Sequence, residues 1–187
     1  MLFAYWDVLR GERAAPDRGE VKPGEMRHIL ADAFMLARAA DGAASFRLAG
    51  TRISALFGRE LGGAAFTDLW AARDRNDVRR LVDIVAEDTV GAAIGLLGAN
   101  ENGSEIALEM MLLPLRHRGR TNDRMLGALS PALLPSWAGL VPLRRIESTS
   151  VRIIEPGRST ALPPRPTGGI PQARKRNLFV VHEGGRV

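Results

Sequence analysis

Residues 91–119 restrict the fold more narrowly than any other part of the chain. Two apolar runs, "GAAIGLLGA" and "IALEMMLLPLRHRG", are separated by the polar segment "NENGSE". Asn102-Gly103 lies in that segment and is the dipeptide most typical of β-hairpin turns. The pattern therefore predicts two long antiparallel strands, and "DRMLGALSP" at residues 123–131 predicts a third.

The segment before this hairpin, "DRNDVRRLVDIVAEDTV", predicts a helix. Asp74, Asn76 or Asp77 can cap its start. The residues that recur at helical spacing along one side of it are Val78, Leu81, Val82, Val85 and Thr89. Further upstream, "AFMLARAA" predicts a strand, and the turn "DGAA" leads to a second strand at residues 45–50. Glycines at 58, 62 and 63 divide residues 51–70 into short helical pieces.

The two ends of this region are less regular. An aromatic helix begins the chain and ends near Gly11, and Pro23 stands where a second helix would start, with Met26, Ile29 and Leu30 as its apolar side. Near residue 150, "SVRIIEP" is a late strand that either joins the sheet or leads out of it. The order predicts an α+β fold: an antiparallel five-stranded sheet with helices on one face and an N-terminal flanking helix.

The sequence also predicts a division of the chain into three parts. Residues 1–22 form the flanking helix and its loop, residues 23–155 form the domain, and residues 156–187 form a basic tail rich in proline and glycine that we expect to be disordered. All of the formal net charge of +5 lies in the tail, because the preceding 155 residues carry equal numbers of basic and acidic side chains. The domain has no charge bias that would attract a polyanion, so we do not expect nucleic acid as its partner.

Three segments of the first half read "YWDVLRGERAAPDRGEVKPGEM", "FRLAGTRI" and "FGRELGGAAFTDLW". Together they resemble the PAS sensory fold, and more specifically the stand-alone bacterial PAS subfamily once catalogued as a domain of unknown function. The resemblance covers residues 6–129. The segment "HILADAF" lacks the Leu-Pro pair that this subfamily usually carries. The resemblance implies a signalling or protein-interaction module, with a space between sheet and helices that holds a haem, a flavin, a small metabolite or nothing.

Several chemistries of such a module need residues that this chain lacks. There is no cysteine, which excludes a cysteinyl flavin adduct, a cysteine-linked chromophore and any disulfide. The three histidines, His28, His117 and His182, are scattered and lie outside the long helix that usually supplies a haem ligand. No phosphate-binding or catalytic motif is present, so we expect no enzymatic activity and leave the cofactor unknown.

The aromatic and apolar residues of the first half can form either a plain core or the wall of a small ligand cavity. The candidate ligand-binding residues are Phe46, Leu48, Ile53, Leu56, Phe57, Phe66 and Trp70. Thr51 and Arg52 are the polar residues nearest to them that could orient a small-molecule ligand. If the cavity is filled by side chains, the protein is a ligand-free interaction scaffold instead.

The front helix carries Phe3, Tyr5 and Trp6, and two uses remain open for them. They can dock on the protein's own sheet, or they can form the seam of a homodimer. The tail offers "QARKRNLFVV", which is either a solvated terminus, a docking peptide for a signalling partner, or a weak nucleic-acid contact. With no apolar run long enough for a membrane span and no signal-peptide core, we expect a cytoplasmic protein.

Overall fold

The computed structural model describes residues 1–117 and 120–155, without the side chains of residues 120–122. One antiparallel sheet of six strands contains β1 (Ala33–Arg38), β2 (Ala44–Ala49), β3 (Gly91–Asn100), β4 (Glu105–His117), β5 (Arg120–Pro131) and β6 (Leu143–Ile154) in the order β2-β1-β5-β4-β3-β6. The helices are α1 (Leu2–Arg10), α2 (Thr51–Phe57) and α3 (Arg75–Glu87). The predicted α+β class is confirmed. The tail from residue 156 lies outside the described residues.

The predicted hairpin joins β3 to β4, with Ala99 opposite Glu105. The Asn100 side-chain oxygen accepts hydrogen bonds from the backbone N–H groups of Asn102 (3.0 Å) and Ser104 (2.9 Å). Gly103 has a φ of 78°, which glycine adopts without a steric cost. The asparagine side chain and the glycine together hold the turn closed.

The prediction of five strands is wrong by one, because the late strand joins the sheet. β6 pairs with β3 from Asn100 opposite Leu143 to Gly91 opposite Ile154. Its sequence, "LRRIESTSVRII", is mostly polar, as is usual for an edge strand with little buried surface. Asp74 does not cap α3 with its side chain; its carboxylate instead accepts a 3.2 Å hydrogen bond from the backbone N–H of Ser148 in β6.

The helix predicted to start at Pro23 is reduced to a 3₁₀ turn, Pro23–Met26. A second such turn, Leu30–Asp32, leads directly into β1 at Ala33. Met26 is buried while Leu30 is exposed, so the expected apolar side is not continuous. The N–H groups of Ile29 and Asp32 bond to carbonyls three residues earlier, those of Met26 and Ile29, which is the 3₁₀ pattern and not that of an α-helix.

The two faces of the sheet carry two separate apolar clusters. On the inner face, α2 and α3 pack over side chains that include Phe34, Leu36 and Phe46. Arg38 also ties β1 to α3 through hydrogen bonds to Asp83 (2.6 Å) and Glu87 (2.9 Å), and the hydrogen bond to Asp83 is the main cause of a raised pKa of Arg38.

The outer face is covered by α1 and by the turns of residues 18–32. Trp6 and Met26 pack there against side chains of the sheet that include Met35 and Leu126. Because neighbouring residues of a strand point to opposite faces, Phe34 belongs to the inner cluster and Met35 to the outer one.

A β-bulge in β2 separates two residues that the sequence places on the same face. Leu36 lies opposite Phe46, whereas Met35 lies opposite Leu48, so Arg47 is one extra residue in β2. Without the bulge, Phe46 and Leu48 would point to the same side. With it, Phe46 faces the inner cluster and Leu48 lies with Met35 at the outer face.

Candidate ligand and partner sites

Four aromatic rings form a connected group between the sheet and the helices. Phe34 lies 5.5 Å from Phe46 and 6.0 Å from Phe66, measured between ring centroids. Phe66 lies 5.6 Å from Phe46 and 5.8 Å from Trp70. Three of these four contacts are edge-to-face, the arrangement that the ring quadrupoles favour. β1, β2 and the segment before α3 therefore meet at one aromatic centre.

Six of the seven predicted ligand-binding residues lie together in this layer. All are buried in the inner cluster: Phe46, Ile53, Leu56, Phe57, Phe66 and Trp70. Leu48 is 61% exposed and lies on the opposite face, because the bulge at Arg47 reverses its direction. That a ligand contacts the six remains a prediction.

The indole N–H of Trp70 has no hydrogen-bond acceptor among the described residues, although the ring is buried. A buried donor without an acceptor costs about 1–3 kcal/mol of stability. An acceptor atom supplied by a small molecule or a water would remove that cost. The indole nitrogen of Trp70 therefore marks the polar point of an otherwise apolar layer.

The predicted polar residues do not reach this layer. Thr51 and Arg52 are exposed at the start of α2, and Arg52 forms a 2.7 Å ion pair with Asp32. Within residues 1–117 and 120–155, no group of three or more histidine or acidic side chains could hold a metal ion.

The three aromatic residues of α1 contact their own chain. Trp6 is fully buried, and its indole N–H donates a 2.8 Å hydrogen bond to the carbonyl oxygen of Pro114. Phe3 packs against Trp6 with 5.9 Å between ring centroids, and the Tyr5 hydroxyl accepts a 3.0 Å hydrogen bond from the backbone N–H of Lys22. Trp6 thus docks on β4, and Phe3 and Tyr5 lie partly buried beside it, while the homodimer seam remains a prediction.

The loop between β5 and β6 exposes leucines that the sequence analysis did not identify. Leu133, Leu134 and Leu140 are 84%, 69% and 81% exposed. We call these three residues the leucine patch. The sequence of residues 131–142, "PALLPSWAGLVP", has no charged residue, and this is the sequence feature that could have indicated an apolar surface here. Large apolar side chains gathered on a surface often mark an interaction site.

The base of this loop is held against the domain. Trp137 and Ala138 pack on the inner cluster. The Trp137 carbonyl accepts hydrogen bonds from the N–H groups of Leu140 and Val141, each 3.0 Å long. Pro142 lies against Gly58 at the end of α2, where an added Cβ would come within 2.5 Å of the proline ring. The loop that carries the leucine patch therefore contacts the end of α2, a helix that packs over the inner face of the sheet.

Residues 1–130 match the family model described as PAS domain, which is more than half of the chain. The chain therefore belongs to the PAS domain family, a family of sensory and signalling modules, and the resemblance found from the sequence is confirmed. In the part of the chain that the structure describes, no helix is long and apolar enough to cross a membrane.

Several solved structures are similar to this chain at low identity. The PAS domain of an HTR-like protein from Haloarcula marismortui is 19% identical, with a TM-score of 0.40 over 58% of this chain and 89% of that chain. The PAS domain of a Colwellia psychrerythraea protein is 14% identical, with a TM-score of 0.43 over 59% and 97%. The LOV domain of the blue-light photoreceptor Aureochrome1 is 14% identical, with a TM-score of 0.44 over 63% and 92%. No curated protein matches the chain.

Proposed function

We propose that this PAS domain is a cytoplasmic signalling module that binds a protein partner through the leucine patch and is not an enzyme. The observation that carries the proposal is the exposure of Leu133, Leu134 and Leu140 on a loop whose base is fixed to the domain. Burying one leucine side chain contributes about 1.5–3 kcal/mol, so a partner groove that takes all three gains substantial binding energy.

The surroundings of the patch favour a protein over an anionic membrane. Arg144 is paired with Glu101, and Arg145 with Glu147 at 3.2 Å, so these cations beside the loop are already compensated. Attraction to anionic lipids depends on uncompensated basic side chains near the surface. A protein groove needs only apolar complementarity with a polar rim.

We further propose that a small ligand with a hydrogen-bond acceptor gates this binding from the aromatic layer. The unpaired indole N–H of Trp70 supports a ligand at that point. Such a ligand would favour one arrangement of α2, and the contact of Pro142 with Gly58 would convey that preference to the loop. Mass spectrometry of the intact, freshly purified protein under native conditions tests this part: a retained ligand adds to the mass, whereas a bare mass favours a ligand-free scaffold.

The partner proposal is tested by replacing Leu133, Leu134 and Leu140 with serine in the full chain. We expect the protein that co-purifies with the wild type in its own cells to be lost, with the thermal midpoint unchanged, because exposed side chains contribute little to stability. The matched control replaces three exposed apolar residues elsewhere, Val8, Ile84 and Ile153, with serine. Retention of the same partner by the leucine variant would refute the proposal.

A further inference from the structure

The outer face of the sheet carries a groove, on the side opposite to α2 and α3. It has a volume of about 260 Å³ and lies between β1, β2, β5 and the segment of residues 18–30. Its apolar walls include Val21, Met26, Leu30, Met35 and Leu48. Leu30 and Leu48 are exposed although they lie beside buried methionines, so the groove is open to solvent and can be entered.

The acidic side chains around this groove already have partners. Glu20 is bonded to Arg13 at 3.0 Å, Glu25 lies 3.6 Å from Lys22, and Asp32 lies 2.7 Å from Arg52. Asp17 accepts a 2.9 Å hydrogen bond from the N–H of Gly19, and the two residues that follow Asp17, Arg18 and Gly19, line the groove.

Arg18 differs from these residues. It lines the groove, it is exposed, and its guanidinium has no hydrogen bond or ion pair within residues 1–117 and 120–155. A long cationic side chain at the edge of an apolar groove favours an anionic group on whatever occupies it.

We infer that this groove binds an anionic amphiphile, a short alkyl chain that ends in a carboxylate. The alkyl chain would lie between Met26, Met35 and Leu48, and the carboxylate would meet the guanidinium of Arg18. Methionine side chains are flexible and polarisable, which suits a wall that must adapt to a flexible chain. The volume is just below the roughly 300–1,000 Å³ of pockets for drug-sized ligands, so the chain is of medium length.

This inference goes beyond the proposed function, because it concerns the other face of the sheet and a different ligand class. The two sites meet at one strand: Phe34 of β1 belongs to the aromatic group and also lines the groove, and the next residue, Met35, belongs to the outer cluster and lines the groove as well. The experiment must therefore report on the two faces separately.

Methionine methyl groups provide that separation. Met26 and Met35 line the groove, whereas Met110 and Met125 lie in the inner cluster. The full chain, labelled with ¹³C at the methionine methyls, is titrated with decanoate below its micelle concentration. We expect the signals of Met26 and Met35 to move saturably, while those of Met110 and Met125 stay in place.

Variants and a second probe test the assigned chemistry. Arg18→Gln should weaken decanoate binding by roughly two- to fivefold, the range of an exposed ion pair. Leu48→Glu, which places a carboxylate in the groove, should weaken it by about tenfold or more. Arg18 and Leu48 are both exposed, so neither change opens the core. Arg27→Gln, at an exposed arginine that does not line the groove, is the matched control and should change nothing.

Four results would overturn the inference. The first is movement of Met110 and Met125 without Met26 and Met35, and the second is equal affinity for decanoate and decyltrimethylammonium. The third is a dependence of the Met26 and Met35 signals on protein concentration without decanoate, which would assign the groove to a second copy. The fourth is a shift of those signals in Phe179→Asp without decanoate, which would assign it to the tail. A failed inference of this kind leaves the leucine patch and the ligand at Trp70 untouched.

Discussion

The indole N–H of Trp6 donates a 2.8 Å hydrogen bond to the carbonyl oxygen of Pro114, 108 residues further along the chain. β3 pairs with β4 only as far as Leu112, so the last part of β4 has no β3 partner on that side. The N-terminal segment takes this place, since the N–H of Arg116 also donates a 2.8 Å hydrogen bond to the carbonyl of Pro16. Pro114 is tolerated in β4 because the backbone N–H that it lacks would have pointed to this side of the strand, where β3 supplies no acceptor.

The two buried tryptophans provide a matched test of this bond. Trp6→Phe leaves the buried carbonyl of Pro114 without a donor, whereas Trp70→Phe removes an indole N–H that has no acceptor among the described residues. We expect Trp6→Phe to lower the free energy of unfolding by about 1–3 kcal/mol more than Trp70→Phe, the cost of an unpaired buried group. Urea denaturation of both variants measures the difference. Equal losses would mean that the bond contributes no net stability.

Gly127 of β5 lies directly under the ring of Phe34, so the aromatic group depends on a missing side chain. A Cβ at this position would come within 2.2 Å of the ring. We expect Gly127→Ala to lower the free energy of unfolding by about 1–3 kcal/mol through overpacking. Gly62→Ala is the control, because an added Cβ meets nothing within 4 Å and should change stability by less than about 1 kcal/mol. Similar values for both variants would contradict the packing described for Phe34.

Glu20 should make the stability of the N-terminal loop depend on pH. The hydrogen bond from Arg13, followed by one from the N–H of Asp17, holds the pKa of Glu20 below its usual 4.5. A lowered pKa in the folded state adds stability above pH 4.5, and this is lost as the pH falls through the folded pKa.

Denaturant unfolding of the wild type and Glu20→Gln as a function of pH measures this contribution. The wild type should lose more stability than the variant below pH 4.5, with the two curves parallel above it. Glu12→Gln, at an exposed residue of the same loop, should follow the wild type throughout. If Glu20→Gln also followed the wild type, the hydrogen bond from Arg13 would not contribute to folding.

Short sequence patterns were sufficient to predict the elements whose structure depends mainly on neighbouring residues. The helical spacing of Val78, Leu81 and Val85 predicted α3, and Asn102-Gly103 predicted the hairpin. Six of the predicted ligand-binding residues are buried in one layer, because large apolar residues near one another in such a fold enter the same core, and their contact with a ligand stays a prediction.

The features that sequence analysis missed depend on contacts between distant residues. Leu48 is two residues after Phe46, so regular strand geometry would place both side chains on one face. The bulge in β2 opposite β1 turns Leu48 to the other face. Only the last part of β6 was predicted as a strand, with its place in the sheet left open, because the polar sequence of an edge strand that buries little gives a weak signal. The partner of Trp6 is a carbonyl that becomes free only where β3 ends.

The most direct test of the proposed function is photocrosslinking from the leucine patch in living cells. Benzoylphenylalanine replaces Leu134 in the full chain, and a control replaces Arg79, an exposed residue on α3. We predict one discrete crosslinked product between this chain and a different protein from position 134, and none from position 79. Equal products from both positions, no product from position 134, or a product with only twice the mass of this chain would contradict the account.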